Sequence, residues 1–380
     1  MTALIYWDNA ATTWPKPPEV FQAVGQALRE GANPGRAGHK MAMKTAEKVY
    51  ECRQEAADFF GLSDPSGVVF VANCTMAINM VVRGLLSKGG HVVTSDLEHN
   101  AVMRPLYAYG KYSSAAWSAD EDETVENFRK AIRPDTKLII CTHCSNVFGV
   151  VFPIAKLAAL AHQYGILFCV DAAQSAGVLP INMEQDGIDY LCVAPHKGLY
   201  APMGTGMLLC REQNLIDPLI RGGTGSYSLE LNQPSELPDR LESGTLNYPG
   251  IAGIIAGIRF VRGKGQEKIY RHELCCLQRV YQRLNGCRGI TLYTPNPVHG
   301  RAGSVMSLNV KGLSSEEVGA MMNQNGVALR TGWHCAGAAH QRFGTVDIGA
   351  VRLAPSAFST LAEAEKISEF FLQIAEKRLH

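Results

Sequence analysis

The chain has 380 residues, with 36 Lys and Arg against 35 Asp and Glu, and 46% of it is hydrophobic. A near-neutral, apolar-rich chain of this composition is neither a disordered tail nor a fibre, and it is poorly suited to broad electrostatic binding of nucleic acid or an anionic membrane. It also exceeds the length that one core usually serves, so two domains are expected.

Residues 1–8 hold no basic segment followed by an apolar stretch, so no signal peptide is evident. The most apolar window, residues 251–261, is too short to span a bilayer and is broken by Gly253, Gly257 and Arg259. Eleven cysteines, an odd number with Cys141, Cys169, Cys192 and Cys210 inside apolar runs, point to a reducing, cytoplasmic setting where cysteine acts as a small hydrophobe. Cys141 and Cys144 match C-x-x-C, but there is no second such pair and Cys141 ends an apolar run. A structural role is therefore preferred to a metal or redox one.

Residues 6–18 are too proline-rich for a regular element and read as a docked arm. Pro17 and Pro18 open an amphipathic helix over 19–30, residues 31–38 form a link, and a long helix over 40–60 is closed by Gly61. A strand over 68–71, a polar turn over 72–75 and a helix over 76–86 make a unit that aims free backbone N–H groups at a phosphate, with Thr75 as helix cap or phosphate ligand. A strand over 91–94, a helix ending near 109, a surface helix over 120–133 and a strand over 137–142 follow. The polar turn 143–149 and a helix over 154–164 come next.

Two short apolar runs, 165–170 and 188–193, read as buried strands. They end in Asp171-Ala-Ala-Gln174 and Ala194-Pro-His-Lys-Gly198. If they are parallel neighbours, about 4.8 Å apart, Asp171 and Lys197 leave the sheet at the same carboxyl-terminal edge, where ligands of open α/β sheets collect. An acid and an amine placed there suit pyridoxal phosphate, which needs a lysine for its Schiff base and an acid opposite its ring nitrogen. Residues 204–210 begin an antiparallel return. The β-α-β rhythm over 68–210 predicts an α/β fold with a mainly parallel sheet covered by helices. A loop-rich stretch over 211–250 and a helix over 249–262 lead to a second, α+β unit. That unit has a helix over 267–284, strands near 289–292, 304–309 and 351–353, a helix over 315–324 and a last helix from 361.

Taken together, several motifs resemble the cysteine desulfurase group of class V aminotransferase-fold enzymes. They are Asp8-Asn-Ala-Ala-Thr12, Glu98-His99, Thr142-His-Cys-Ser-Asn146, Asp171-Ala-Ala-Gln174, His196-Lys197, Glu242-Ser-Gly-Thr245, Arg330-Thr-Gly-Trp-His-Cys335 and Val351-Arg352. The resemblance runs nearly end to end, and eight motifs in order are far more specific than any one. It implies fold type I of the pyridoxal-phosphate enzymes, with an N-terminal arm (1–20), a large cofactor domain (21–255) and a small C-terminal domain (256–380).

The resemblance also implies roles. Lys197 holds the cofactor and moves the substrate's α-proton, Asp171 keeps the ring nitrogen protonated, His99 stacks on the ring and Gln174 bonds its 3-oxygen. Asn146 lies beside ring and substrate. The Cys74 and Thr75 amides hold the phosphate with His196, Thr245 reaches in from the partner of a homodimer, and Arg352 clamps the substrate carboxylate. Cys335 takes the sulfur of L-cysteine as a persulfide, leaving alanine, and passes it to an acceptor. Arg330, His334 and nearby glycines suggest a mobile, electropositive loop around that thiol. The short cysteine loop is that of the group-II desulfurases. Ala194 departs from the serine many relatives carry, with Thr224 a candidate substitute donor, and Trp333 is bulky enough to narrow the pocket. The alternatives are a selenocysteine lyase, which can work without Cys335, a cysteine sulfinate lyase or another class V aminotransferase, and a fold-sharing protein without catalysis.

Overall fold

The computed structural model describes residues 4–34, 38–211 and 216–379, so parts of the expected 31–38 link and 211–250 loop region lie outside the described residues. Strand β1 (Ile5–Tyr6) precedes helices α1 (Pro18–Glu30) and α2 (Lys40–Phe60). α2 starts at His39, whose ring accepts the Ala42 amide, and stops at Gly61, whose φ of +65° glycine adopts without strain.

Strand β2 (Val68–Val71), helix α3 (Cys74–Leu85), strand β3 (His91–Ser95), helix α4 (Asn100–Tyr109), strand β4 (Lys111–Ala115) and helix α5 (Glu121–Ala131) follow. Then come strand β5 (Thr136–Thr142), helix α6 (Ile154–Gln163) and strands β6 (Leu167–Asp171), β7 (Tyr190–Val193) and β8 (Gly206–Cys210). They form one seven-stranded sheet in the order β2-β8-β7-β6-β5-β3-β4. Strands β3 to β7 pair in parallel with one another, and β8 is antiparallel to both β2 and β7. The two-residue period of a strand sends alternate side chains to opposite faces. On β5, Leu138 and Ile140 pack under α3 and α4 with Ile78, Val81 and Val102, while Ile139 and Cys141 pack with Phe128 of α5 and Leu157 of α6. Each such buried aliphatic side chain contributes about 1.5–3 kcal/mol.

Helices α7 (Tyr248–Lys264) and α8 (Gln266–Leu284) lead to strands β9 (Ile290–Leu292) and β10 (Met306–Val310), helix α9 (Ser315–Gln324), strand β11 (Val327–Ala328), helix α10 (Gly337–Arg342), strand β12 (Val351–Leu353) and helix α11 (Leu361–Leu379). Strand β10 lies between β12 and β9 in an antiparallel sheet, and β11 pairs in parallel with β1. Trp7, Leu277, Met306, Val318 and Phe371 share the core of this second unit. The boundary expected between residues 255 and 256 falls within α7, which packs on α1 and α2. Among the described residues, no helix is long and apolar enough to cross a membrane.

Candidate active site

The sheet register sets Asp171, the last residue of β6, opposite Thr142 on β5 and Cys192 on β7, so three strand ends align. The turn after Asp171 and the turn carrying Lys197 meet backbone to backbone. A Cβ on Gly177 would lie 2.4 Å from the Gly198 carbonyl oxygen, which is why both positions need glycine. The result is a cavity of about 110 Å³ at the carboxyl edge, lined by Asp171 and Lys197 together with Cys74, Thr75, His99, Thr142, Asn146, Gln174 and His196.

Charge in this cavity is set by burial. Asp171 is 3% exposed, and its Oδ1 accepts the Ala173 amide at 2.9 Å and the Cys74 thiol at 3.6 Å. Burial lowers the pKa of Lys197, partly countered by Asp171, so its amine loses its proton more readily than an exposed lysine. Burial also pushes the Cys74 thiol well up, which keeps it a proton donor to Asp171. Helix α3 begins at Cys74, earlier than the sequence suggests, and its cap is Asn73, whose side chain accepts the Met76 amide at 2.9 Å. Thr75 is therefore not the cap. Cys74 and Thr75 stand in the first turn, where backbone N–H groups have no carbonyl within the helix to reach.

His196 completes that end of the cavity. Its ring is pushed down to about 4, by burial first and then by Lys197 and Lys16, so it is neutral near pH 7. Its main chain is gripped by the N-terminal arm: the Thr12 and Thr13 hydroxyls each lie 3.2 Å from the His196 carbonyl oxygen and Lys16 Nζ lies 2.7 Å from it. Gln174 spends one amide N–H on the Ala10 carbonyl at 3.0 Å and has a second for the cavity.

His99 is the cap of α4, and its Nδ1 accepts the Ala101 amide at 3.0 Å. Burial lowers its pKa, so the neutral ring carries its proton on Nε2. The preceding Glu98 is fully buried and raised to about 8 by burial. Its Oε1 accepts from Ser95 Oγ at 2.5 Å and the Thr142 amide at 2.8 Å, which ties the ends of β3 and β5 together.

The cysteine loop approaches from the second unit. Asn146 donates from Nδ2 to the His334 carbonyl at 2.8 Å, and the Asn100 amide donates to the Cys335 carbonyl at 2.7 Å. His334 and Cys335 both have positive φ, +49° and +55°, which costs a non-glycine residue on the order of 1–3 kcal/mol each. Cys335 is exposed. His334 is not part of an electropositive setting, because burial drives its ring down to about 2 and leaves it uncharged. Trp333 does not line the cavity; it is half exposed, with its indole N–H bonded to the Val346 carbonyl at 2.6 Å.

Arg352 is 1% exposed, so it is not a surface arginine. Its guanidinium donates to Asp8 Oδ1 at 2.8 Å and to the Asn146 carbonyl at 3.0 Å, while its buried Nε has no partner. Thr224 and Thr245 do not enter this cavity within one chain. They line a separate pocket of about 290 Å³ with Arg53 and Glu242. Cys141 and Cys144 are fully buried, and burial raises both thiols, Cys144 to about 12. Lys16 and Glu98 are site neighbours to which the sequence gives no role; the place of Lys16 within the proline-rich arm is the one local signal for it.

The chain matches the family model described as Aminotransferase class-V over residues 5–368. A "Probable cysteine desulfurase" of Synechocystis sp. is 32% identical over 357 residues, covering 90% of this chain and 84% of that protein. Another from Methanothermobacter thermautotrophicus is 30% identical, covering 98% and 94%. The solved apo structure of cysteine desulfurase from Thermococcus onnurineus NA1 superposes with a TM-score of 0.91 at 30% identity, covering 98% of this chain and 95% of that one.

Proposed function

Because the chain belongs to the class V aminotransferase family, among its cysteine desulfurases, we propose that it binds pyridoxal 5'-phosphate and converts L-cysteine to L-alanine, with the sulfur passing to Cys335. One observation carries this reading: Asp171, Lys197, His99, Asn146, His196 and the start of α3 line a single cavity. The donor set fits the cofactor. A helix start and a neutral His196 suit its phosphate, a buried carboxylate suits its ring nitrogen, and an amine of lowered pKa suits its aldehyde. When bound, the cofactor supplies an electron sink for the α-carbon of an amino acid.

The residues then have separate tasks. Lys197 binds the cofactor covalently and moves the proton at the substrate α-carbon. Asp171 holds the proton on the ring nitrogen. His99, fixed by its cap bond, covers the ring face, and Gln174 donates to the ring oxygen. Arg352 receives the substrate carboxylate through its planar fork, using the Nε that has no protein partner. Cys335 attacks the substrate sulfur as thiolate. An S–S bond forms, the C–S bond breaks with its electrons staying on carbon, and that carbon is protonated to give alanine.

Thr224 and Thr245 belong to this scheme as residues offered to the cavity of a second copy. Support comes from their position outside their own cavity and from the fully exposed Leu231, which lines a neighbouring pocket with Thr224. We read the protein as a homodimer working in a reducing cytoplasm and handing sulfur to an acceptor protein. The test is to incubate protein, cofactor and L-cysteine and to measure alanine and protein-bound persulfide together. Cys335→Ser should abolish both; alanine production continuing unchanged would rule out the Cys335 step and favour a lyase.

A further inference from the structure

Among the described residues, Lys16 is a cation without an anion. Its Nζ lies 2.7 Å from Thr13 Oγ1, 2.7 Å from the His196 carbonyl oxygen and 3.5 Å from Thr12 Oγ1, all neutral acceptors. Among the described residues no carboxylate pairs with it, although the side chain is partly buried and burial pushes it down to about 8. Taking an ammonium out of water with only neutral oxygens around it is unfavourable, and such a charge is stabilised when an anion arrives nearby.

The His196 ring lines the cofactor cavity beside the first turn of α3. The field of Lys16 reaches that ring, where it is one of the causes holding it uncharged. Residue 194, two before the His-Lys pair, is alanine and brings no hydroxyl to this end of the cavity.

We propose that Lys16 is the balancing charge for a phosphate monoester bound between His196 and the start of α3, acting through its field and through the His196 main chain rather than by direct contact. This rests on the pyridoxal-phosphate reading above and deepens it, because it assigns the phosphate-selective charge to the N-terminal arm. The three ammonium protons are already used, so the contribution is Coulombic. A full charge removed near the His196 main chain, at protein-surface screening, should weaken phosphate binding about tenfold.

The test compares equilibrium binding of pyridoxal 5'-phosphate and of pyridoxal, which lacks the phosphate, to the full chain freed of cofactor, followed by the absorbance of the protein-bound chromophore. Wild type should prefer the phosphate ester. Lys16→Met should lose about tenfold of that preference while its pyridoxal affinity stays put, and Lys16→Arg should restore most of it. Thr13→Val, which removes the hydroxyl's contacts with Lys16 and with the His196 and Lys197 carbonyls but keeps the charge, should leave the preference intact and covers the case of a Lys16→Met protein that does not fold. Equal weakening of both ligands in Lys16→Met, or a Thr13→Val protein that loses the preference as fully, would show a backbone clamp only and overturn the inference. A wild type that forms no chromophore with either ligand would remove the cofactor reading and this inference with it.

Discussion

The side-chain amide of Asn146 donates to the main-chain carbonyl of His334, 2.8 Å away, and so links the cavity at the sheet edge to the residue before Cys335. The same residue holds Arg352 through its own carbonyl. One residue in the polar turn after β5 thus sets the spacing of the cavity, the cysteine loop and Arg352. Asn146→Ala removes a side-chain bond on the carbonyl of His334, the first of two consecutive left-handed residues. Loss of such a bond to a buried group costs about 1–3 kcal/mol. The expected outcome is a fall in alanine production of about tenfold or more, with the cofactor chromophore still formed, read by absorbance and product assay on the same sample.

Arg53 and Glu242 form a buried pair in which Arg53 Nη2 lies 2.6 Å from Glu242 Oε2, and Glu242 Oε1 also accepts the Phe70 amide. Arg53 further donates to the Val68 carbonyl. The pair ties α2 and β2 to the loop that carries Thr245. Arg53→Met leaves a buried, unpaired carboxylate, a change that costs about 3–5 kcal/mol. It should lower the thermal midpoint by several degrees, and the double variant Arg53→Met/Glu242→Gln should recover part of that loss. A double variant less stable than Arg53→Met would contradict this account.

Two buried carboxyls govern the alkaline side of the stability profile. Burial raises Glu98 and Glu273 from the ordinary 4.5 to about 8. In this window the folded state holds protons that the unfolded state has lost. Their contribution is complete below about 4.5, declines as pH rises, and is gone above about 8. The buried ring of His143, pushed down to about 4, works in the opposite direction, because the unfolded chain takes up its proton below the ordinary 6.5. Glu98→Gln should therefore flatten the decline between pH 6.5 and 8, measured as the urea midpoint at each pH relative to wild type.

Thiol exposure gives a direct check on the cysteine loop. Cys275 and Cys335 are exposed, Cys287 is intermediate, and the other eight cysteines are buried. Native protein with a chromogenic disulfide reagent should show two fast thiols and a slower third, the rest reacting only on unfolding. Cys335→Ser should remove one fast thiol and leave the others unchanged. Loss of no fast phase would place the Cys335 thiol under cover.

Much of this was readable in the residues because the physics is local. The α2 helix is bounded by His39 and Gly61, and the apolar runs before Asp171 and Lys197 identify themselves as buried strands. Strand β4 escaped notice because Lys-Tyr-Ser-Ser-Ala, at the sheet edge, has neither an apolar run nor a clean alternation. Of the two roles open to Thr75, helix cap or phosphate ligand, the first falls to Asn73, two residues earlier, whose side chain accepts the Met76 amide. His334 reads in sequence as a source of positive charge, but its burial, with the nearby Arg352 guanidinium, keeps its ring neutral in the fold. The pairing of Arg352 with Asp8 joins residues near opposite ends of the chain, and no local pattern announces it.

The parallel pairing of Ile5–Tyr6 with Val327–Ala328 has a consequence for biosynthesis. Strand β1 leaves the ribosome more than 300 residues before its partner β11, and until then Trp7, fully covered in the finished protein, has no partner surface from the second unit. Contacts of such long sequence separation form late and leave apolar surface open in the meantime. A nascent chain stalled before residue 327 can assemble the parallel sheet with Asp171 and Lys197 in place, yet strand β1 and Trp7 stay unsecured. Shielding that segment during translation, by a chaperone or by slow release from a soluble fusion partner, should matter more to the yield of folded protein than strengthening the sheet itself.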